Sequence, residues 1–408
     1  LKFIHAADLH LDSPFEGLKQ VPEPVWQLVY QAPFTATTRL VDQAIDQQVD
    51  FVLLTGDLFD RETQSVTAQL FLNTQLQRLI DAQIGVYLSF GNHDYQTDGQ
   101  AIALPEGVHA FDSSVSTVLT TTHDQQRVAI SGFSYPTRWL DTDMAAQFPE
   151  RGDADFQIGM LHGALQQSRD NHYAPFTLGE LTDKHYDYWA LGHIHKPQFL
   201  AEQPPVVYAG TIQGRHKNES GDHGYMLVTS ENQQLNPEFV PVNPVDWVSL
   251  TVAITDQQTE TELIDFVLRQ LATLTDTAVF KLVSLTLTNV ESLPGQVLTQ
   301  LNNGNWFDRL SQIQEDRYET NRCWIYECRL QPADAQIQYS QLDAQFWTDA
   351  KAAVFTTDVL TSAAGKKLLS YPFLADHLRD STTLADSQAR AESELLQQAR
   401  LEADNHAD

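Results

Sequence analysis

Asp8, His10, Asp57, Asn92, His93, Asp94, His162, His193 and His195 are the residues of this chain best suited to chemistry, and they recur in one kind of setting. Each group follows an apolar run. Phe3-Ile4-His5-Ala6-Ala7 precedes Asp8, Phe51-Val52-Leu53-Leu54 precedes Gly56-Asp57, and residues 84–90 precede Gly91-Asn92-His93-Asp94. Residues 156–161 precede His162-Gly163, and residues 186–191 precede Gly192-His193-Ile194-His195. Imidazole and carboxylate suit Mn, Fe, Zn and similar ions. Two such ions about 3.5–4 Å apart clamp a phosphoryl group and lower the pKa of a bound water.

Taken singly, each group has a bland explanation. Asp-x-His is common, an Asp after a strand is often a turn or helix cap, and Gly-Asn is a turn signal. A lone histidine is more often a hydrogen-bonded core or surface residue than a ligand. Five coincidences of strand, small residue and ligand are not explained that way. They point to one two-metal site at the edge of a sheet, where strands hold ligands firmly. Asp8 and His10, two apart, face one side of an extended chain. Asn92 offers a neutral oxygen beside the charge of Asp57. That leaves His93 to act as an acid, with Asp94 to orient it. Asp60 is either a carboxylate supporting the ligands or the cap of the next helix. His5, in mid-strand, reads as a core or supporting residue. Arg215, His216 and Lys217 form the best local basic cluster, fit for a phosphodiester backbone or for a solvated loop.

The elements that must position these residues alternate. Strands at 3–7, 51–54 and 84–90 are separated by helices at 35–48 and 65–82, the second with a core stripe of Leu70, Phe71, Leu76, Leu79 and Ile80. That order argues for a parallel or mixed sheet with helices outside. Residues 13–31, with Pro14, Pro22 and Pro24, read as irregular. Strands follow at 115–119, 127–133, 156–161, 186–191, 206–209 and 224–228, with a helix near 179–182. Pro237, Pro241 and Pro244 read as a linker. A strand at 247–254, a helix at 260–274 and strands at 280–287 and from Cys323 make a small α+β domain, with a helical segment beyond 335.

The 408 residues are too many for one ordinary domain. Hydrophobic residues make up 42%, enough for a large core. Two cysteines exclude a disulfide framework, which suits a cytoplasmic protein. Cys323 and Cys328 fall on opposite faces of one strand and read as buried free thiols. No run approaches the about 20 apolar residues a membrane span needs, and the strand-like opening leaves no room for a signal peptide. With 25 Lys+Arg against 54 Asp+Glu the formal net charge is −29. Such a chain repels nucleic acid and membrane surfaces at long range. A polyanionic substrate must be held by metals, local bases or a partner.

The series Asp8-x-His10, Gly56-Asp57-x-x-Asp60, Gly91-Asn92-His93-Asp94, His162 and Gly192-His193-x-His195 resembles the calcineurin-like metallophosphoesterase superfamily. The opening 3–11 and the stretch 208–216 are similar to SbcD-type DNA repair exonuclease subunits, and within them to the YhaO-like bacterial branch. The resemblance implies a four-layer α/β/β/α sandwich over residues 1–240, a small α+β capping domain at 247–332 and a helical C-terminal segment at 335–408. It implies two divalent metal ions, Mn2+ first with Fe, Zn or Mg as alternatives. Asp8, His10 and His195 would hold one, Asn92, His162 and His193 the other, with Asp57 bridging. His93 would stabilise the transition state or protonate the leaving oxygen. Archaeal and eukaryotic relatives of the SbcD type carry a second histidine where this chain has Asp60, so a histidine role there is not transferred.

The expected function is a metal-dependent phosphodiesterase, a DNA exonuclease or endonuclease subunit in DNA repair. Its expected partners are DNA, an SbcC-like coiled-coil ATPase and a second copy in a homodimer. Apolar residues from Val354 and Phe355 through Val359, Leu360, Leu368, Leu369, Tyr371 and Phe373 are candidate anchors for the ATPase. Two rivals stand beside it: a phosphoesterase of nucleotides or cyclic nucleotides, which the charge troubles less, and a scaffold subunit with a vestigial metal site.

Overall fold

The computed structural model describes residues 1–15, 18, 21–60, 64–95, 103–166, 172–256, 259–274, 278–331 and 344–356, with 359, 362 and 391. The anchors Leu360, Leu368, Leu369, Tyr371 and Phe373 lie outside the described residues. The chain divides into two compact units. One holds Leu1–Leu250, Ile264–Leu285 and Phe307–Cys328; the other holds Thr251–Leu263, Thr286–Trp306 and Arg329–Asp408.

The first unit begins with β1 (Lys2–Ala6), α1 (Glu23–Tyr30), α2 (Ala32–Asp46), β2 (Phe51–Thr55), α3 (Val66–Asp81), β3 (Gly85–Ser89) and β4 (Val108–Ala110). It continues with β5 (Ser116–Thr121), β6 (Arg127–Gly132), β7 (Phe156–His162), α4 (Leu178–Asp183), β8 (Tyr188–Gly192), β9 (Gln198–Glu202), β10 (Pro205–Tyr208), β11 (Gly224–Glu231) and β12 (Gln234–Pro241). Two six-stranded sheets result, ordered β12-β11-β1-β2-β3-β4 and β5-β6-β7-β8-β10-β9. Their central pairs are parallel: β1 with β2, β2 with β3, β6 with β7, β7 with β8, and β8 with β10.

Alternation along the strands builds the layers. On β1 and β2, Phe3, Phe51 and Leu53 join Ile130, Ile158, Met160, Tyr188 and Val207 of the other sheet in a core between the sheets. Their neighbours Ile4, Ala6, Val52 and Leu54 pack outward on Leu40, Val41, Leu72, Leu76 and Leu79 of α2 and α3. On the far side, Trp189, Leu191 and Val206 pack with Phe148, Phe176 and Leu181. The order is helix, sheet, sheet and helix-bearing cover, an α/β/β/α sandwich. Both sheets are buried on two faces, which is why their central strands read as unbroken apolar runs.

Several expectations change. Residues 13–31 are not wholly irregular: α1 starts at Glu23, with proline in its first turn, where a missing N–H is no loss. Leu70 is 62% exposed, and the buried stripe of α3 runs through Ala68, Leu72, Leu76 and Leu79. Pro237 and Pro241 are not linker residues. They sit in β12, which among the described residues pairs only with β11 at the sheet's edge, a position that tolerates proline.

After Pro244 come β13 (Val245–Ala253), α5 (Glu260–Ala272), β14 (Phe280–Thr288), α6 (Gly295–Asn302), α7 (Asn305–Glu315), α8 (Tyr318–Asn321), β15 (Cys323–Gln331) and α9 (Ala344–Val354). The strands form a third sheet ordered β13-β14-β15. Helices α6 to α8 have no counterpart in the sequence reading. Within the first unit, Trp247, Leu282 and Trp324 pack on Phe15, Val25 and Val29. Cys323 is buried but Cys328 only partly so, and both are free.

Candidate metal centre

The ligand candidates collect where the C-terminal ends of β1, β2, β7 and β8 meet. Parallel pairing does this: His5 registers with Leu53 across β1 and β2, and His162 with Gly192 across β7 and β8. Each strand then stops in a sharp turn. Asp8, His10, Asp57 and His193 have φ of 52°, 42°, 51° and 99°. Such left-handed conformations cost of order 1–3 kcal/mol each and persist where the surroundings over-determine them. The turns are locked by Asp8 N–H to Gly56 O (3.1 Å) and His10 N–H to Asp57 O (3.0 Å).

Two groups of donors form around Asp57. In the first, His10 Nε2 and His195 Nε2 lie 3.0 Å apart, with Asp8 Oδ1 3.9 Å and Asp57 Oδ2 3.8 Å from His10 Nε2. In the second, Asn92 Oδ1 is 3.2 Å from both His162 Nε2 and His193 Nδ1, and Asp57 Oδ2 is 3.4 Å from His162 Nε2. One oxygen of Asp57 thus stands between the groups, as a bridging carboxylate must. His193 and His195, two apart in sequence, fall into different groups.

The donor chemistry fits divalent cations. Two imidazole nitrogens 3.0 Å apart repel unless a proton or a cation lies between them. His195 Nδ1 faces Glu219 Oε1 at 2.6 Å and His10 Nδ1 faces Asp60 Oδ1 at 3.3 Å. Carboxylates behind both rings favour the tautomer that presents Nε2 to a metal. His162 Nδ1 likewise faces the carbonyl of Thr55 at 3.0 Å. Space is reserved too: a Cβ on Gly192 would stand 2.1 Å from Thr55 O and 2.7 Å from His162 Nδ1, and one on Gly91 2.2 Å from Asp57 Oδ1.

Without cations the site is electrostatically frustrated. Burial pushes Asp8 above the usual carboxylate range, against the pull of His162 and His195. Burial also opposes the charge on Asp57, but His162 and His93 outweigh it and hold Asp57 below that range. His162, despite burial, is raised to about 9, chiefly by the charge of Asp57. His193 is lowered to about 3 by burial and by His162, and His10 is lowered well below its ordinary value by burial and then Arg215.

Residues 1–197 match the family model described as calcineurin-like phosphoesterase. Over those residues the chain is similar to calcineurin-like phosphoesterases. The chain is also 45% identical over 271 residues to the uncharacterized metallophosphoesterase YhaO of Bacillus subtilis (strain 168). That match covers 65% of this chain and 66% of the relative, just under two thirds of its length. The crystal structure of TT1561 from Thermus thermophilus matches 58% of this chain and 98% of its own at 12% identity and a TM-score of 0.34. No argument rests on that last likeness.

Around the two donor groups, three further residues take definite places. His93, half-buried, donates its backbone N–H to Asp57 Oδ1 (2.9 Å), and its Nδ1 faces the carbonyl of Asp60 (2.9 Å). That carbonyl fixes one ring nitrogen of His93. Asp94 is buried, and its oxygens accept from the N–H groups of Leu58, Phe59 and Gly91, so it holds two ligand loops together. Burial and Asp57 raise it to about 7. Asp60 is the supporting carboxylate of His10, not a helix cap. The cap of α3 is Ser65, whose side chain accepts from Ala68 N–H.

The basic cluster divides. Arg215 is ion-paired to Asp60 and, at 3.9 Å, to Glu219. Its charge is held inside the site, not offered on the surface. His216 and Lys217 are exposed. Glu219 was not found by sequence reasoning. It takes His195 Nδ1 on one oxygen and Arg215 N–H on the other (2.7 Å), and is held down to about 2 by His195 and Arg215 in spite of burial. It lies in a loop with no periodic signal, so no local pattern marks it. His5 is buried between the sheets, where it contacts Tyr188 Oη (2.9 Å) and the carbonyl of Leu191 (3.2 Å).

Proposed function

We propose that this protein is a two-metal phosphodiesterase acting on DNA, a nuclease subunit of the SbcD type in DNA repair. The observation that carries the phosphodiester chemistry is the pair of donor groups sharing Asp57 Oδ2. Divalent ions bound there would supply Lewis-acid stabilisation of the phosphoryl oxygens and a more acidic water. The choice of DNA is supported by the similarity of residues 3–11 and 208–216 to SbcD-type subunits.

In this reading the chain's own residues act as follows. Asp57 and Asp8 supply negative charge that draws in cations. Asn92 adds an oxygen without adding charge. His93, its Nδ1 held on the Asp60 carbonyl, keeps Nε2 as the nitrogen that gives a proton to the leaving oxygen. Arg215 neutralises Asp60 and Glu219 behind the ligands. Exposed Lys217 and His216 offer contacts to the flanking backbone.

The net charge of −29 means the isolated chain binds DNA weakly and with strong salt dependence. An SbcC-like coiled-coil ATPase is the proposed source of the missing affinity. Val354 and Val359, 51% and 41% exposed, and half-buried Phe355 are the described members of its proposed docking segment. A homodimer is part of the same proposal. The charge also favours a second reading, a phosphoesterase of nucleotides or cyclic nucleotides.

The deciding experiment is a panel of divalent metals against single- and double-stranded DNA and cyclic nucleotides, with and without the partner ATPase. His93→Ala serves as the control. Mn2+-dependent cleavage of DNA, lost in the variant, is expected. Turnover of cyclic nucleotides with no cleavage of DNA, even with the partner, would replace the first reading by the second.

A further inference from the structure

One run of aromatic rings leads from solvent to the centre. Trp139 is 52% exposed. Its ring lies 5.4 Å from that of Tyr173 at 49°, and Tyr173 lies 4.5 Å from the imidazole of His193 at 32°. The guanidinium of Arg138 sits 5.4 Å over the indole system, and the ring of His172 meets Trp139 edge-on at 5.9 Å. Two ring steps therefore connect the surface to a residue of the second donor group.

The run is held in place by its backbone. Leu140 N–H donates to His172 O (2.9 Å) and Ala174 N–H to Leu140 O (2.7 Å). Thr137 Oγ1 donates to Trp139 O (2.7 Å), and His172 Nδ1 meets Asp141 Oδ1 at 2.7 Å. An exposed tryptophan fixed this firmly is a poor solvation choice, since large apolar surface left in water is the informative exception. A chain with few bases also places an arginine against it, which makes the face both flat and cationic.

We infer that Arg138, Trp139 and Tyr173 form a stacking platform for a nucleobase of the substrate, next to the phosphate held at His193. The inference rests on the phosphodiesterase reading for the phosphate and adds the base. Stacking on an aromatic face tolerates any base, because every base has a π-face. The platform therefore selects nucleotides over other phosphoesters without selecting sequence. The arginine adds attraction for the neighbouring phosphate without requiring a basic surface elsewhere.

The test uses the full chain with His93→Ala to prevent turnover, Mn2+ present, and two probes. One is 2-aminopurine ribonucleoside 5′-monophosphate; the other is a single-stranded oligonucleotide carrying 2-aminopurine at either end. Stacking quenches 2-aminopurine. Quenching is expected with His93→Ala alone, and adding Trp139→Ala should abolish it and weaken binding about 5- to 150-fold. Trp139→Phe should keep most of both, and far-UV circular dichroism with a thermal melt confirms that each variant is folded. Equal quenching and affinity after Trp139→Ala would overturn the platform, as would binding without quenching or no binding of either probe. In turnover by the active enzyme, Trp139→Ala should shrink the preference for a base-bearing over an abasic oligonucleotide. DNA cleavage with that preference unchanged sinks the platform and leaves the nuclease reading standing. A quenched mononucleotide with no DNA cleavage does the reverse.

Discussion

Glu219→Gln should weaken one metal site far more than the other. Glu219 uses both oxygens as acceptors: Oε1 for His195 Nδ1 at 2.6 Å and Oε2 for Arg215 N–H at 2.7 Å. A carboxamide has one acceptor and one donor at these places. If its oxygen serves His195, its NH2 faces the Arg215 N–H, and the reverse orientation sets two donors at His195. One hydrogen bond to a largely buried group is lost either way, worth about 1–3 kcal/mol of stability. The charge that favours the Nδ1–H tautomer of His195 also disappears. Loss of such a supporting carboxylate typically lowers metal affinity about 10–100-fold, or about 1.4–2.7 kcal/mol. The assay is calorimetric titration of Mn2+ into chelator-treated protein. The variant should weaken the step belonging to Asp8, His10 and His195 and leave that of Asn92, His162 and His193 much less affected. Unchanged affinities, or equal loss at both steps, would refute the assignment of Glu219 to one site.

Three further outcomes follow from the same geometry. Gly192→Ala should destabilise by about 1–3 kcal/mol or more, as overpacking does, because its Cβ would meet Thr55 O at 2.1 Å. Gly295→Ala, where nothing lies within 4 Å, should stay within about 0.5 kcal/mol; urea titrations of both variants check the contrast. Mn2+ at 100 times its Kd should stabilise the fold by about 2.7 kcal/mol, read as a rise in Tm that a chelator reverses. His5 is lowered to about 3 from 6.5 by burial. The unfolded chain therefore binds its proton first, and stability present above pH 6.5 is lost as pH falls towards 3, by up to about 1.4 kcal/mol per unit. Asp94, raised to about 7, acts in the opposite direction between 3.8 and 7. Asp94 is present in the parent chain and in His5→Gln alike, so a shallower acid limb in the variant isolates the histidine, and identical limbs would contradict its buried neutral state.

Much of the fold was legible because its central strands are buried on both faces. Runs such as Phe51-Val52-Leu53-Leu54 leave no other reading, and each ends where the sheet ends. What escaped was set by context. Pro237 and Pro241 look like breaks in the chain but sit in an edge strand. Leu70 looks like core on a helical stripe but faces solvent. Helices α6 to α8 are short, and only their packing distinguishes them from loop.

The site shows the same division. The sequence by itself determined which side chains stand at the strand ends, because a strand end is a local event and ligand types are read directly. Only the tertiary structure decided how they combine. It brought His10 to His195 across 185 positions, put Asp57 between two donor groups, and turned Arg215 inward onto Asp60. It placed Glu219 behind His195 and ran Trp139 and Tyr173 up to His193. Strand order and the crossing of loops set these pairings, and neither leaves a period in the chain from which they could be read.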